Sequence, residues 1–105
     1  MNIKRMKHKY AAVATEVDGI RFDSKKEARY YAGLKIKQAA GEVVQFLRQV
    51  PFHLPGGVRY VCDFMEFRAN GTVHFVDTKG VLTESFKAKK RMVEAIYAPI
   101  IIEIV

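Results

Sequence analysis

Two aspartates and a lysine interrupt runs that are mostly apolar. Asp63 stands in Tyr60-Val61-Cys62-Asp63-Phe64-Met65, and Asp77 and Lys79 stand in Val73-His74-Phe75-Val76-Asp77-Thr78-Lys79-Gly80. Burying an unpaired carboxylate costs several kcal/mol, so charges in such runs need a partner or a task. Asp77 and Lys79 are two apart and share a strand face. If Gly71 takes the left-handed position of a three-residue loop, residues whose numbers sum to 140 lie opposite, and Asp63 faces Asp77. A two-residue Asn70-Gly71 loop pairs Asp63 with Thr78 instead and points the carboxylates apart. Facing carboxylates raise each other's pKa unless a cation lies between them. A hard divalent ion such as Mg²⁺, with Mn²⁺ as an alternative, takes oxygen ligands from two aspartates and keeps waters for a phosphate substrate. Lys79 could then orient an attacking water and offset charge on the scissile phosphate. Each residue also has a structural explanation. Asp77 and Lys79 could form a same-face ion pair, and Asp63 could be a buried, hydrogen-bonded acid.

These residues need elements to hold them. Thr15-Glu16-Val17 and Ile20-Arg21-Phe22 flank Asp18-Gly19, a hairpin signal. Ser24-Lys25-Lys26-Glu27 is a capping box opening a helix that stops at Gly41. Glu27 could serve only that cap, or supply a further carboxylate to the site. Ala28, Ala32 and Ile36 recur every four residues and are expected on the inward face. Val43 to Leu47 reads as a strand broken by Pro51 and Pro55-Gly56-Gly57. Arg59 to Phe67 and Val73 to Lys79 form an antiparallel pair around Asn70-Gly71, with Val61 and Met65 on one face and Cys62 and Phe64 on the other. Glu84 to Tyr97 is a second helix with Phe86, Val93 and Tyr97 on one face, and Ile100 to Val105 is a last strand. The expected fold is α/β: a helix-strand-strand-strand-helix-strand core, its mixed sheet flanked by a helix on each face.

The composition fits a single domain, 13–105, behind a basic arm, 1–12, which carries Lys4, Arg5, Lys7 and Lys9 without an acid. With 105 residues the chain has no room for a two-domain enzyme that closes over its substrate. The net charge of +7 favours a polyanionic partner, although a basic balance also serves solubility. Lys25, Lys26 and Arg29 near the first helix start, and Lys87, Lys90 and Arg91 along the second, are the candidate phosphate contacts. The lone Cys62 cannot form an internal disulfide, and no Cys/His cluster offers zinc ligands. No signal peptide or membrane span is expected, which points to the cytoplasm.

Glu27 on the first helix, Tyr60-x-x-Asp63-Phe64 and Asp77-x-Lys79-Gly80 resemble the PD-(D/E)XK nuclease superfamily, whose core follows the element order above. Val17-Asp18-Gly19-Ile20-x-Phe22-Asp23-Ser24-Lys25-Lys26-Glu27-Ala28 and Asp77-x-Lys79-Gly80-Val81 further resemble a family of small phage- and prophage-encoded proteins grouped with these endonucleases. The resemblance implies Asp63 and Asp77 as metal ligands, Lys79 as the catalytic lysine and Glu27 as an accessory ligand. Gln49 is similar to polar residues beside the site in some members and ranks below the other four. Cys62 replaces the proline of the name-giving motif. Bare cores of this size are similar to structure-selective members, resembling Holliday-junction resolvases or nicking enzymes, which commonly act as dimers.

The first expectation is therefore a Mg²⁺-dependent endonuclease acting on branched or duplex DNA, with DNA rather than RNA implied only by the resemblance. The alternative is a nucleic-acid-binding module that keeps the fold without cutting. A basic protein-interaction domain ranks last, because it needs no buried carboxylate pair.

Overall fold

A computed structural model describes residues 15–105. The basic arm expected at 1–12 lies outside the described residues. β1 (Thr15–Val17) and β2 (Ile20–Phe22) form the first hairpin. Asp18 (φ 54°) and Gly19 (φ 73°) both adopt the left-handed conformation that a tight two-residue turn demands. The Tyr31 hydroxyl donates to Asp18 Oδ2 (3.0 Å), tying this turn to the helix that follows.

α1 (Lys25–Ala39) starts at Ser24, whose hydroxyl accepts the Glu27 N–H at 3.1 Å. It ends where Gly41 (φ 82°) turns left-handed, with Gly41 N–H donating to Gln38 O and Glu42 N–H to Lys37 O. Its buried side chains are Glu27, Ala28, Tyr31 and Leu34. The expected Ala28-Ala32-Ile36 row is not the inward face, since Ile36 is 70 % exposed. At 3.6 residues per turn a row of fourth residues precesses by about 40° per step, and by Ile36 it has left the contact.

The main sheet has the order β3-β4-β5-β6. β3 (Val43–Leu54), β4 (Val58–Arg68) and β5 (Val73–Asp77) are antiparallel neighbours, and β6 (Ile102–Ile104) runs parallel to β5. α2 (Glu84–Ile96) makes the crossover from β5 to β6. This is the expected mixed α/β core. Pro51 does not break β3, because β3 is an edge strand whose outer side needs no N–H donor. β5 stops at Asp77 rather than Lys79, where its parallel partner also ends, at Ile104.

The sheet carries a core on each face. Phe22, Ala28, Tyr31 and Leu34 close over Phe64 and Val76 on one side. On the other, Val93, Phe86 and Tyr97 close over Phe52, Cys62, Phe75 and Ile102. Burying Phe64 fully is worth about 1.5–3 kcal/mol by itself. Cys62 and Phe64 were expected on one face, yet they serve different cores. In β3, likewise, Phe46 packs toward α1 while Val50 and Phe52 pack toward α2. Both strands change sides at opposed positions, Gln49 and Asp63, and Gln49 there has φ 55°. The alternation slips in step, so the pairing register survives. Among the described residues no helix is long and apolar enough to cross a membrane.

Candidate active site

The turn between β4 and β5 decides whether two acids meet. Arg68 N–H donates to Thr72 O and Gly71 N–H to Arg68 O, both at 2.9 Å, closing a three-residue loop of Ala69, Asn70 and Gly71. Gly71 supplies the left-handed step at φ 87°. The ladder runs Phe67↔Val73, Met65↔Phe75, Phe64↔Val76, so its next step sets Asp63 against Asp77. The odd loop is the one formed.

The two aspartates interlock. Asp63 N–H donates to Asp77 Oδ1 (3.1 Å), while Asp63 Oδ2 accepts both the N–H and the hydroxyl of Thr78 (each 2.9 Å). The Tyr60 hydroxyl donates to Asp77 Oδ2. Asp77 is fully buried and Asp63 is 8 % exposed. The Asp77 carboxyl is pushed up to about 6, first by burial and then by the Asp63 carboxyl within hydrogen-bonding reach; the Tyr60 hydroxyl and the Lys79 charge oppose this. Burial and Asp77 push the Tyr60 hydroxyl far above its ordinary value.

Glu27 approaches from α1. Its backbone N–H serves the cap, but its carboxylate turns to β3, accepting from Arg48 Nη2 (3.3 Å) and Gln49 Nε2 (3.1 Å). Gln49 Nε2 also reaches Asp63 Oδ1 at 3.5 Å, so its amide links the two acids. Burial and the Asp63 charge raise the Glu27 pKa, with Arg48 pulling the other way. Arg48 lies over the Phe22 ring, 4.3 Å from its centroid, and its buried Nε finds no acceptor. Gln49, ranked lowest in the sequence, thus sits at the centre of the cluster.

Lys79 is close to Asp77, whose pKa its charge lowers, and its ammonium rests 5.1 Å from the Phe86 ring centroid. The Lys79 carbonyl accepts from Lys26 Nζ at 3.1 Å, joining the α1 start to this loop. Lys25 and Arg29 are exposed beside it. On α2, Lys87 pairs with Glu84 (3.2 Å) and Lys90 with Glu94 (2.7 Å), while Arg91 is exposed. Arg48, Tyr60 and Thr78 were not singled out as site residues from sequence; only the spacing of Tyr60 in Tyr60-x-x-Asp63 signalled one of them.

Among the described residues no group of three or more His, Cys, Asp or Glu side chains is set to hold a metal ion. The fit for Mg²⁺ rests on the aspartate pair alone. Two buried carboxyls in mutual reach, without a guanidinium on either, are a hard oxygen donor set that a divalent cation would relieve. Among the described residues Asp63 Oδ1 accepts only the long Gln49 bond, which leaves it lone-pair capacity for a metal. A second polar chain lies elsewhere: Thr72 Oγ, 2.9 Å from His74 Nε2, and His74 Nδ1, 2.5 Å from Glu103 Oε2. The Thr72 hydroxyl donates to Asn70 Oδ1 (2.6 Å), which also accepts the Thr72 N–H, so this hydroxyl is not poised as a nucleophile.

Residues 7–105 match the family described as "Protein of unknown function (DUF1064)", and the chain belongs to it. No curated protein matches the chain.

Proposed function

We propose that this protein is a metal-dependent, structure-selective endonuclease that hydrolyses phosphodiesters of branched or duplex DNA. The observation that carries the reading is the buried Asp63–Asp77 pair, opposed across one hairpin with Lys79 beside it. Asp63 and Asp77 would hold the divalent ion, Mg²⁺ or Mn²⁺. That ion would polarise the scissile phosphate and acidify a water. The chain's own residues do the rest. Thr78 and Gln49 fix the Asp63 carboxylate, Tyr60 fixes that of Asp77, and Lys79 supplies a cation for charge developing on the phosphate. The further assignment to the PD-(D/E)XK superfamily rests on the Glu27, Asp63 and Asp77-x-Lys79 motifs in matching element order. Phage origin rests on the likeness of the Val17–Ala28 and Asp77–Val81 stretches to small phage-encoded proteins. Action as a homodimer rests on analogy with bare structure-selective cores, and residence in the host cytoplasm on the lone Cys62 together with phage origin.

One observation favours a second reading, a nucleic-acid-binding module without cleavage. The Glu27 carboxylate is already engaged by Arg48, which leaves two acids rather than three for a metal. Supercoiled plasmid and a four-way junction, each with Mg²⁺ and with EDTA, separate the two. The endonuclease nicks or resolves only with the metal, and Asp77→Ala and Lys79→Ala abolish cleavage while binding persists. Undiminished cleavage by either variant rejects the assignment, and metal-independent binding without any nicking establishes the module.

A further inference from the structure

A groove of about 270 Å³ opens between the start of β4 and the first turns of α2. Arg59, Lys79 and Lys89 line it together with Thr83, Ser85 and Phe86, and no acid is among its walls. No ion pair engages these three cations among the described residues, whereas Lys87 and Lys90 on the same helix are both matched by glutamates. Like charges gathered around one concavity repel, and a bound anion would relieve that. The Thr83 oxygen accepts the Phe86 N–H, which leaves its hydroxyl proton free to donate. Tyr60 forms part of the wall and its hydroxyl donates to Asp77, so one wall of the groove is bonded directly to the carboxylate pair.

We propose that this groove binds successive phosphates of the nucleic-acid strand presented to Asp63 and Asp77, with Arg59 and Lys89 as its grip. The inference rests on the endonuclease reading and assigns the strand's path to residues outside the charged stripes seen in the sequence. Arg59 and Lys89 act on binding alone. They contact backbone phosphate equally before and during reaction, so their removal raises KM and leaves kcat unchanged.

The test is fluorescence anisotropy with a labelled DNA duplex and its single strand in EDTA across a salt series, comparing wild type with Arg59→Gln/Lys89→Gln. Loss of two phosphate contacts reduces the slope of log K against log salt by about 1.4–1.8, at 0.7–0.9 per contact. Lys35→Gln/Lys37→Gln removes the same charge at the far end of α1 and serves as the control with an unchanged slope. A parallel Mg²⁺ cleavage assay reads KM and kcat. Wild-type slope and KM in the groove variant overturn the groove while cleavage by both proteins leaves the endonuclease standing. An equal slope change in the control reduces the groove to bulk charge and also overturns it. Absence of cleavage by wild type, with the slope change intact, removes the endonuclease and keeps the groove.

Discussion

β4 and β5 bury acids at both ends of their shared ladder, and the two ends are neutralised differently. At the turn end Glu66 is fully buried and supplied with its own countercharge. Arg68 Nε and Nη2 both donate to Oε1 (3.2 and 3.1 Å), and the Tyr30 hydroxyl donates to Oε2. At the open end Asp63 and Asp77 face each other, with hydroxyls and N–H groups for partners but no guanidinium. An acid clasped by arginine is complete, and its removal is a matter of stability. Two acids held together with one lysine nearby carry more negative charge than it offsets and gain from an added cation. Glu27 stands between these cases, half-satisfied by Arg48.

The sharpest way to break the contrast is to neutralise each end in turn. Asp77→Asn keeps the shape of the site and removes the charge, so metal-dependent cleavage falls about a thousandfold or more while the fold is retained. Glu66→Gln does the reverse. It leaves Arg68 facing a neutral amide and destabilises the protein by about 2 kcal/mol, with cleavage per folded molecule unchanged. Urea unfolding beside plasmid nicking reads both. A Glu66→Gln protein that is stable yet inactive erases the distinction between the ends.

The Asp63–Asp77 side of this contrast was legible in the sequence, because its causes are local, whereas Glu66 and Arg68 carried no signal there. The odd loop follows from Gly71 in the left-handed position, and strand periodicity then carries Asp63 to Asp77 five pairs away along the ladder. Ser24 and Gly41 bracket α1 by capping chemistry that needs no tertiary partner. The losses came where packing rules. Ile36 keeps the right spacing but points outward, because the stripe that α1 buries is chosen by the sheet beneath. The change of faces at Gln49 and Asp63 depends on two strands slipping together, which no single segment records. Arg48 reads as an ordinary strand-surface cation until Glu27 is seen to turn away from its cap.

The pH dependence of folding sharpens the comparison further. Asp77 titrates near 6 in the folded chain against an ordinary 3.8, so between those values the folded state holds a proton that the unfolded state releases. Stability contributed by that proton is therefore lost as pH rises through this window, by at most about 3 kcal/mol. Thermal unfolding of wild type relative to Asp77→Asn isolates the effect from other acids such as Glu94, whose pKa is lowered by Lys90 and the Ile102 N–H. The variant gains on wild type between about pH 4 and pH 6. At pH 8 added Mg²⁺ raises the melting temperature of wild type and leaves that of the variant nearly unchanged. Parallel profiles with no response to Mg²⁺ mean that the aspartates carry no excess charge and need no ion.

The smallest effect expected is at Gln49, which decides how far the half-satisfied Glu27 belongs to the site. Gln49→Gly accepts the positive φ without strain and deletes only the amide that spans Glu27 Oε2 and Asp63 Oδ1. If the amide orients Asp63 toward a metal, cleavage falls about 10–100-fold, as for other groups that hold a ligand in place. Excess Mg²⁺ then recovers part of the rate, because the loss lies in ion affinity. Stability changes little, since the left-handed backbone no longer carries a side chain that disfavours it. A variant that cleaves at the wild-type rate places Glu27, Arg48 and Gln49 outside the reaction, as a brace between α1 and the edge strand. The catalytic acids would then be Asp63 and Asp77 alone.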